Sequence, residues 1–118
     1  MKRGVPRAAL PKGERQDARK HTRHVLRPGA EEVAAYLSGR IDWDAFADAY
    51  RAQIAERFET ERDRFDALAA RAREADVWLG CSCPTQQNPD VRRCHTWLAL
   101  EEMARRYPDL EIRFPDAP

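Results

Sequence analysis

Several broad classes of protein are ruled out by what this sequence lacks. It has only three cysteines, an odd number, too few for a fully paired disulfide framework and in keeping with a reducing compartment. Long hydrophobic runs are also missing, and no window approaches the roughly 18 consecutive apolar residues that a membrane-spanning helix needs. The opening MKRGVPRAALPKG is basic but lacks the apolar stretch of a secretory signal. A cytoplasmic protein with no membrane partner is therefore expected. Neither sign of charge dominates: 21 Lys and Arg stand against 20 Asp and Glu, for a net charge of +1. No internal repeat is visible. At 118 residues the chain has room for one domain around one core.

The charge is unevenly spread. Residues 1–28 carry Lys2, Arg3, Arg7, Lys12, Arg15, Arg19, Lys20, Arg23 and Arg27 with His21 and His24, against Glu14 and Asp17 alone. This stretch shows no apolar period and holds Pro6, Pro11 and Pro28. It reads as an irregular basic leader, free to be disordered, ahead of a single domain over 29–118. A basic tail of this kind can neutralise phosphates, so nucleic acid is a candidate partner; a solvated leader is the plainer reading.

Helical signals follow. A short helix is expected over 30–37, with Val33 and Leu37 facing inward and Ser38-Gly39 ending it. Asp42 suits the N-cap of the next helix, with Asp44 in its first turn. Trp43, Phe46, Tyr50, Ile54 and Phe58 recur at steps of three and four, one face of a helix and most simply a core stripe. Phe65, Leu68 and Ala72 repeat the pattern over 61–74, either as the same helix continued or after a kink near Thr60.

Val77-Trp78-Leu79-Gly80-Cys81 then reads as a short buried strand, and 82–92 as a loop with Pro84 and Asn88-Pro89. A helix is expected over 93–107, stopped by Pro108. Leu110-Glu-Ile-Arg-Phe114 alternates apolar and polar residues as a half-buried strand does. Strand, loop, helix and strand predict a βαβ unit with parallel strands. The expected fold is α/β, a single domain with a small, mainly parallel sheet flanked by helices.

In such a fold, ligands bind beyond the strand ends, beside the N-termini of the following helices. That places Cys81 and Cys83 at a strand end near Cys94 and His95 at a helix start. Three chemistries are open there. Cys81, Cys83, Cys94 and His95 form a Cys₃His set suited to tetrahedral zinc, although Cys-x-Cys and adjacent Cys-His are tighter than the usual spacing. Cys94 could instead be a nucleophile, its thiolate favoured by the helix dipole, Arg92 and Arg93, with His95 as acid or base. Adjacent helical side chains point about 100° apart, so His95 could also serve a different partner. Finally, the helix start with Arg92, Arg93 and Thr96 suits a small anionic ligand without any cysteine chemistry. The structural alternative is that Cys81 is a buried strand residue, Cys83 and Cys94 pack under the loop, and His95 caps the helix.

The run Ile41-Asp-Trp-Asp-Ala-Phe46, then Tyr50-Arg51, Phe65-x-x-Leu68, Trp78-Leu79-x-Cys81 and Cys94-His95 resembles the domain-of-unknown-function 488 family. That family has a "Phe…Tyr-Arg" helix, a "Val-x-Leu-x-Cys" strand and a "Cys-His-Arg" opening the next helix. The resemblance covers about residues 30–114, and Val5-Pro6-Arg7 hints at the family's opening Pro-Arg-Gly element. Thr96 stands where the family has its arginine, and Cys83 and the long loop after it fit a short variant with "Cys-x-Cys…Cys-His". The resemblance implies an α/β fold and a site at the Cys94-His95 helix, with no agreed activity. The function expected from residues and resemblance together is a thiol/imidazole site that binds an anionic ligand and has the groups to act on it. The alternative is a non-enzymatic accessory module that binds zinc or nucleic acid.

Overall fold

A computed structural model describes residues 2–3, 14–20, 22–75, 77–80 and 94–114. The elements in chain order are β1 (Lys2–Arg3), β2 (Glu14–Asp17), α1 (Ala30–Leu37), α2 (Trp43–Thr60), α3 (Arg62–Glu74), β3 (Val77–Gly80) and α4 (His95–Arg106).

The helices begin and end for local reasons. The Asp42 side chain accepts from the Ala45 N–H at 2.8 Å and so caps α2. Gly39, at φ 82°, turns the chain after α1 in a conformation that costs other residues a clash. At Gly29, before α1, the Glu32 carboxylate and the Gln53 amide fold over the position a Cβ would take, and Gln53 accepts from the Gly29 N–H at 3.2 Å. The break between α2 and α3 falls at Glu61, φ −130° and ψ 37°, so the two segments are separate helices. The stripe of α2 turns Phe46, Tyr50 and Ile54 into the core, joined by Phe65, Leu68 and Ala69 of α3. Trp43 and Phe58 pack at its margin. Leu37, expected to face inward, is 42% exposed because it falls in the last turn of α1, beside the Gly39 turn.

The sheet-centred α/β architecture expected from the sequence is corrected. The protein is mostly helical: its helices span 8, 18, 13 and 12 residues, whereas its strands span only 2, 4 and 4. Among the described residues the expected βαβ unit does not form, because 110–114 is not a strand. β3 lies in the middle of the order β1-β3-β2, with Lys2 opposite Trp78 on one side and Arg15 opposite Trp78 on the other. Both of its edges are taken by parallel partners, and 110–114 makes only a single bridge, at Arg113. That segment instead lays Leu110 and Ile112 against the core and Phe114 on Trp97, ring centroids 4.8 Å apart.

The separation of residues 1–28 as a leader also needs correction. Its residues 14–17 form β2, and Ala18, Val25 and Leu26 are buried. The side chains of Val77 and Leu79 on β3 are fully buried in the same core. Among the described residues no helix is long and apolar enough to cross a membrane.

Candidate functional site

Cys94 is the N-cap of α4. Its backbone is extended, at φ −131° and ψ 146°, while its carbonyl already accepts from the Trp97 N–H at 3.0 Å. His95 and Thr96 occupy the first turn. All three are buried, at 2%, 8% and 0% exposure.

One contact decides that Nε2 of the imidazole carries a hydrogen. His95 Nε2 lies 2.8 Å from the carbonyl oxygen of Ala18. A carbonyl can only accept, so Nε2 carries the hydrogen and donates it. In the neutral ring Nδ1 is then an acceptor, and it faces Cys94 Sγ at 4.0 Å, the outer reach of a sulfur hydrogen bond. The Thr96 hydroxyl donates to the same sulfur at 3.2 Å. The 100° divergence expected of neighbouring helical residues does not separate Cys94 from His95, because Cys94 precedes the helical backbone. His95 therefore meets both a backbone anchor and the thiol. It does not cap the helix, as the structural alternative had it.

Tyr50 stands next to this group, its ring centroid 6.2 Å from that of His95 and its hydroxyl donating to the Leu26 carbonyl at 2.8 Å. Burial pushes the Tyr50 phenol well above its ordinary range; Arg57 offsets this in part, and Glu102 and Cys94 add to it. Tyr50 is thus a neutral donor fixed on the Leu26 carbonyl and a wall beside His95. Further along α4, Glu102 is a buried carboxylate that pairs with Arg105 and Arg106.

The structure brings Cys94, His95 and Thr96 together. Cys81, Cys83, Arg92 and Arg93 lie outside the described residues, and with them the expected approach of Cys81 to Cys94. Among the described residues, no three His, Cys, Asp or Glu side chains form a metal-holding group. The zinc reading therefore turns on Cys81 and Cys83. A depression of about 350 Å³ between the end of α3 and residues 109–111 holds none of the expected site residues. Sequence reasoning missed the Ala18 carbonyl, which leaves no side-chain signature, and placed Tyr50 only in the core. It also passed over Glu102, whose one signal was a carboxylate between apolar positions of the last helix.

No curated protein and no solved structure matches the chain. A family model described as the active DUF488-N3 subclade matches residues 1–107, a span that takes in every strand and helix of the fold. By that match, and by the order of its aromatic helix, Trp-Leu strand and Cys-His helix start, the chain belongs to the domain-of-unknown-function 488 family, in its active DUF488-N3 subclade.

Proposed function

We propose that Cys94 and His95 form a thiol/imidazole pair that acts as nucleophile and acid–base on a small anionic ligand held at the start of α4. The observation that carries this reading is the Ala18 carbonyl on His95 Nε2, which leaves Nδ1 directed at the Cys94 sulfur. A nucleophile, a base beside it and a third group orienting the base make up the arrangement required of an activated thiol. The Cys94 proton passes to Nδ1, giving thiolate and imidazolium, and the Thr96 hydroxyl donates to the sulfur that bears the charge. The thiolate then bonds to an electrophilic carbon of the ligand, and the leaving group departs with the imidazolium proton. The positive end of the α4 dipole favours an anion here. The family description "active" fits such a role.

The test is thiol labelling followed by peptide mapping. Cys94 in the folded protein should be alkylated with an apparent pKa below the 8.5 or so of a free cysteine. The anion iodoacetate should gain on neutral iodoacetamide relative to free cysteine. His95→Asn should return the profile to that of an ordinary thiol. Labelling that appears only in urea, with the free-cysteine profile, makes Cys94 a core residue and refutes the proposal. Stoichiometric zinc whose removal alone releases Cys94 for labelling would put the Cys81, Cys83, Cys94 and His95 set in its place.

A further inference from the structure

The chain between β2 and α1 is held down by side chains acting on its backbone. Five consecutive carbonyls, those of residues 23 to 27, each accept a hydrogen bond from a side chain. Arg64 of α3 donates to the Arg23 carbonyl, and Arg27 Nη1 turns back to the His24 carbonyl at 3.0 Å. Arg57 of α2 uses Nη1 for both the Val25 carbonyl at 3.0 Å and the Arg27 carbonyl at 2.6 Å. Tyr50 takes the Leu26 carbonyl.

A carbonyl fixes a guanidinium in place and leaves its net charge standing. Glu61 is the one carboxylate paired with these arginines among the described residues, at 2.7 Å from Arg64. Arg27 and Arg57 spend only Nη1 on the carbonyls, so Nε and Nη2 of each remain as donors. The charges are near enough to act on one another. Arg57 is lowered from its ordinary pKa by burial first and by Arg27 next. Glu61 is held low first by its hydrogen bond from Arg64, with the charges of Arg64, Arg27 and Arg57 adding to it. Three guanidiniums with one paired carboxylate, Glu61 on Arg64, leave a surplus of two positive charges, on side chains already positioned.

The geometry points to a second anion site, apart from the Cys94–His95 pair, where Arg27, Arg57 and Arg64 bind a phosphate group. A phosphate dianion matches the surplus charge, and its oxygens suit the planar forks of arginine, which a lysine could not reproduce. Arg57 lies seven residues beyond Tyr50 on α2, about 10 Å along the axis. Its guanidinium nonetheless reaches the carbonyls on either side of the one that Tyr50 takes, so the site adjoins the residue that flanks His95 while sharing no ligand with the Cys94–His95 pair. Because the carbonyls fix the arginines before the ligand arrives, little ordering remains to be done on binding.

The test is isothermal titration of the full chain with inorganic pyrophosphate and, separately, with a short single-stranded oligonucleotide. Saturable pyrophosphate binding is expected, weakened about tenfold or more in Arg27→Gln and in Arg64→Gln. Arg57→Lys keeps the charge, loses the fork, and should weaken binding as well. Arg40→Gln, an exposed arginine outside the cluster, and Cys94→Ala should leave binding unchanged. Oligonucleotide that competes with pyrophosphate and shows the same dependence on Arg27 and Arg64 makes a nucleic-acid backbone the source of the phosphate. Pyrophosphate binding alone makes it a small ligand. No saturable binding of either, or equal weakening by Arg40→Gln, overturns the site. Loss of pyrophosphate binding in Cys94→Ala with Arg27→Gln unaffected would move the anion to α4.

Discussion

Leu26→Ala is the sharpest test of how the N-terminal segment belongs to the fold. Leu26 is fully buried in a cluster that includes Phe46, Tyr50, Ile54 and Leu98. It lies within a stretch whose composition reads as a solvated tail. Truncation to alanine removes three carbons from a packed site and leaves a cavity that the surroundings can only partly close. Leucine-to-alanine changes of this kind cost about 2.7–5 kcal/mol. The carbonyls of residues 23–27 stay pinned by Arg64, Arg27, Arg57 and Tyr50, so collapse into the cavity is restricted. A cost in the upper half of that range, about 4 kcal/mol, is therefore expected. Against a total stability of roughly 5–15 kcal/mol for a domain, that is a large share. Urea unfolding followed by tryptophan fluorescence and far-UV circular dichroism measures it, with Lys20→Ala, exposed in the same segment, as the control expected within about 0.5 kcal/mol. A Leu26→Ala loss below about 1 kcal/mol would show the segment lying loosely on the surface, and the reasoning would fail.

Two further outcomes follow from single contacts. Thr96→Val keeps the shape of a fully buried side chain but removes the hydroxyl donor to Cys94 Sγ; labelling of Cys94 should shift to higher pH while the unfolding midpoint moves little, and an unchanged pH profile would show that the hydroxyl does not act on the thiolate. Tyr107 is pushed up to about 12, by burial first and by its hydrogen bond to Asp66 next. An unfolded tyrosine ionises near 10, so between about pH 10 and 12 unfolding releases a proton and stability falls as pH rises. In Tyr107→Phe that decline should be shallower by up to one proton, and a slope equal to the wild type's would rule Tyr107 out as its source.

The helices were legible because their signals are local. The residues for α1, the Asp42 cap, the Gly39 turn and the stripe at Phe46, Tyr50 and Ile54 all lie within a few positions of one another. The sheet was not, because its signals are not in its own residues. Glu14-Arg-Gln-Asp17 has no apolar alternation, and becomes a strand only because β3 offers it a parallel edge. Residues 110–114 do alternate, yet β3 has no edge left for them. Pattern reports which face wants burial; it does not report which strand arrives first at a shared partner. The same limit hid half the site. Cys94 and His95 could be picked out by residue type, but the group that orients His95 is a backbone carbonyl 77 positions away.

That carbonyl bears on whether His95 is more than a filler of the core. A histidine serving only packing needs each ring nitrogen satisfied in one protonation state, and gains nothing from a second. Here both states are provided for. With the ring neutral, Nε2–H donates to Ala18 and Nδ1 faces the Cys94 thiol as acceptor. With the proton moved from sulfur to Nδ1, Nε2–H still donates to Ala18, Nδ1–H faces a thiolate, and the Thr96 hydroxyl supplies that sulfur with a second donor. The transfer needs the 4.0 Å between Sγ and Nδ1 to shorten, while the Ala18 and Thr96 contacts stay in place, and donors already placed for the product state are what electrostatic preorganisation contributes to a reactive pair. A serine at position 94 would fit the same space but, with its shorter side chain and far higher pKa, would leave the second state empty. Cys94→Ser should therefore fold as the wild type does and lack the chemistry, whereas for a purely structural pair the two proteins would differ only in stability.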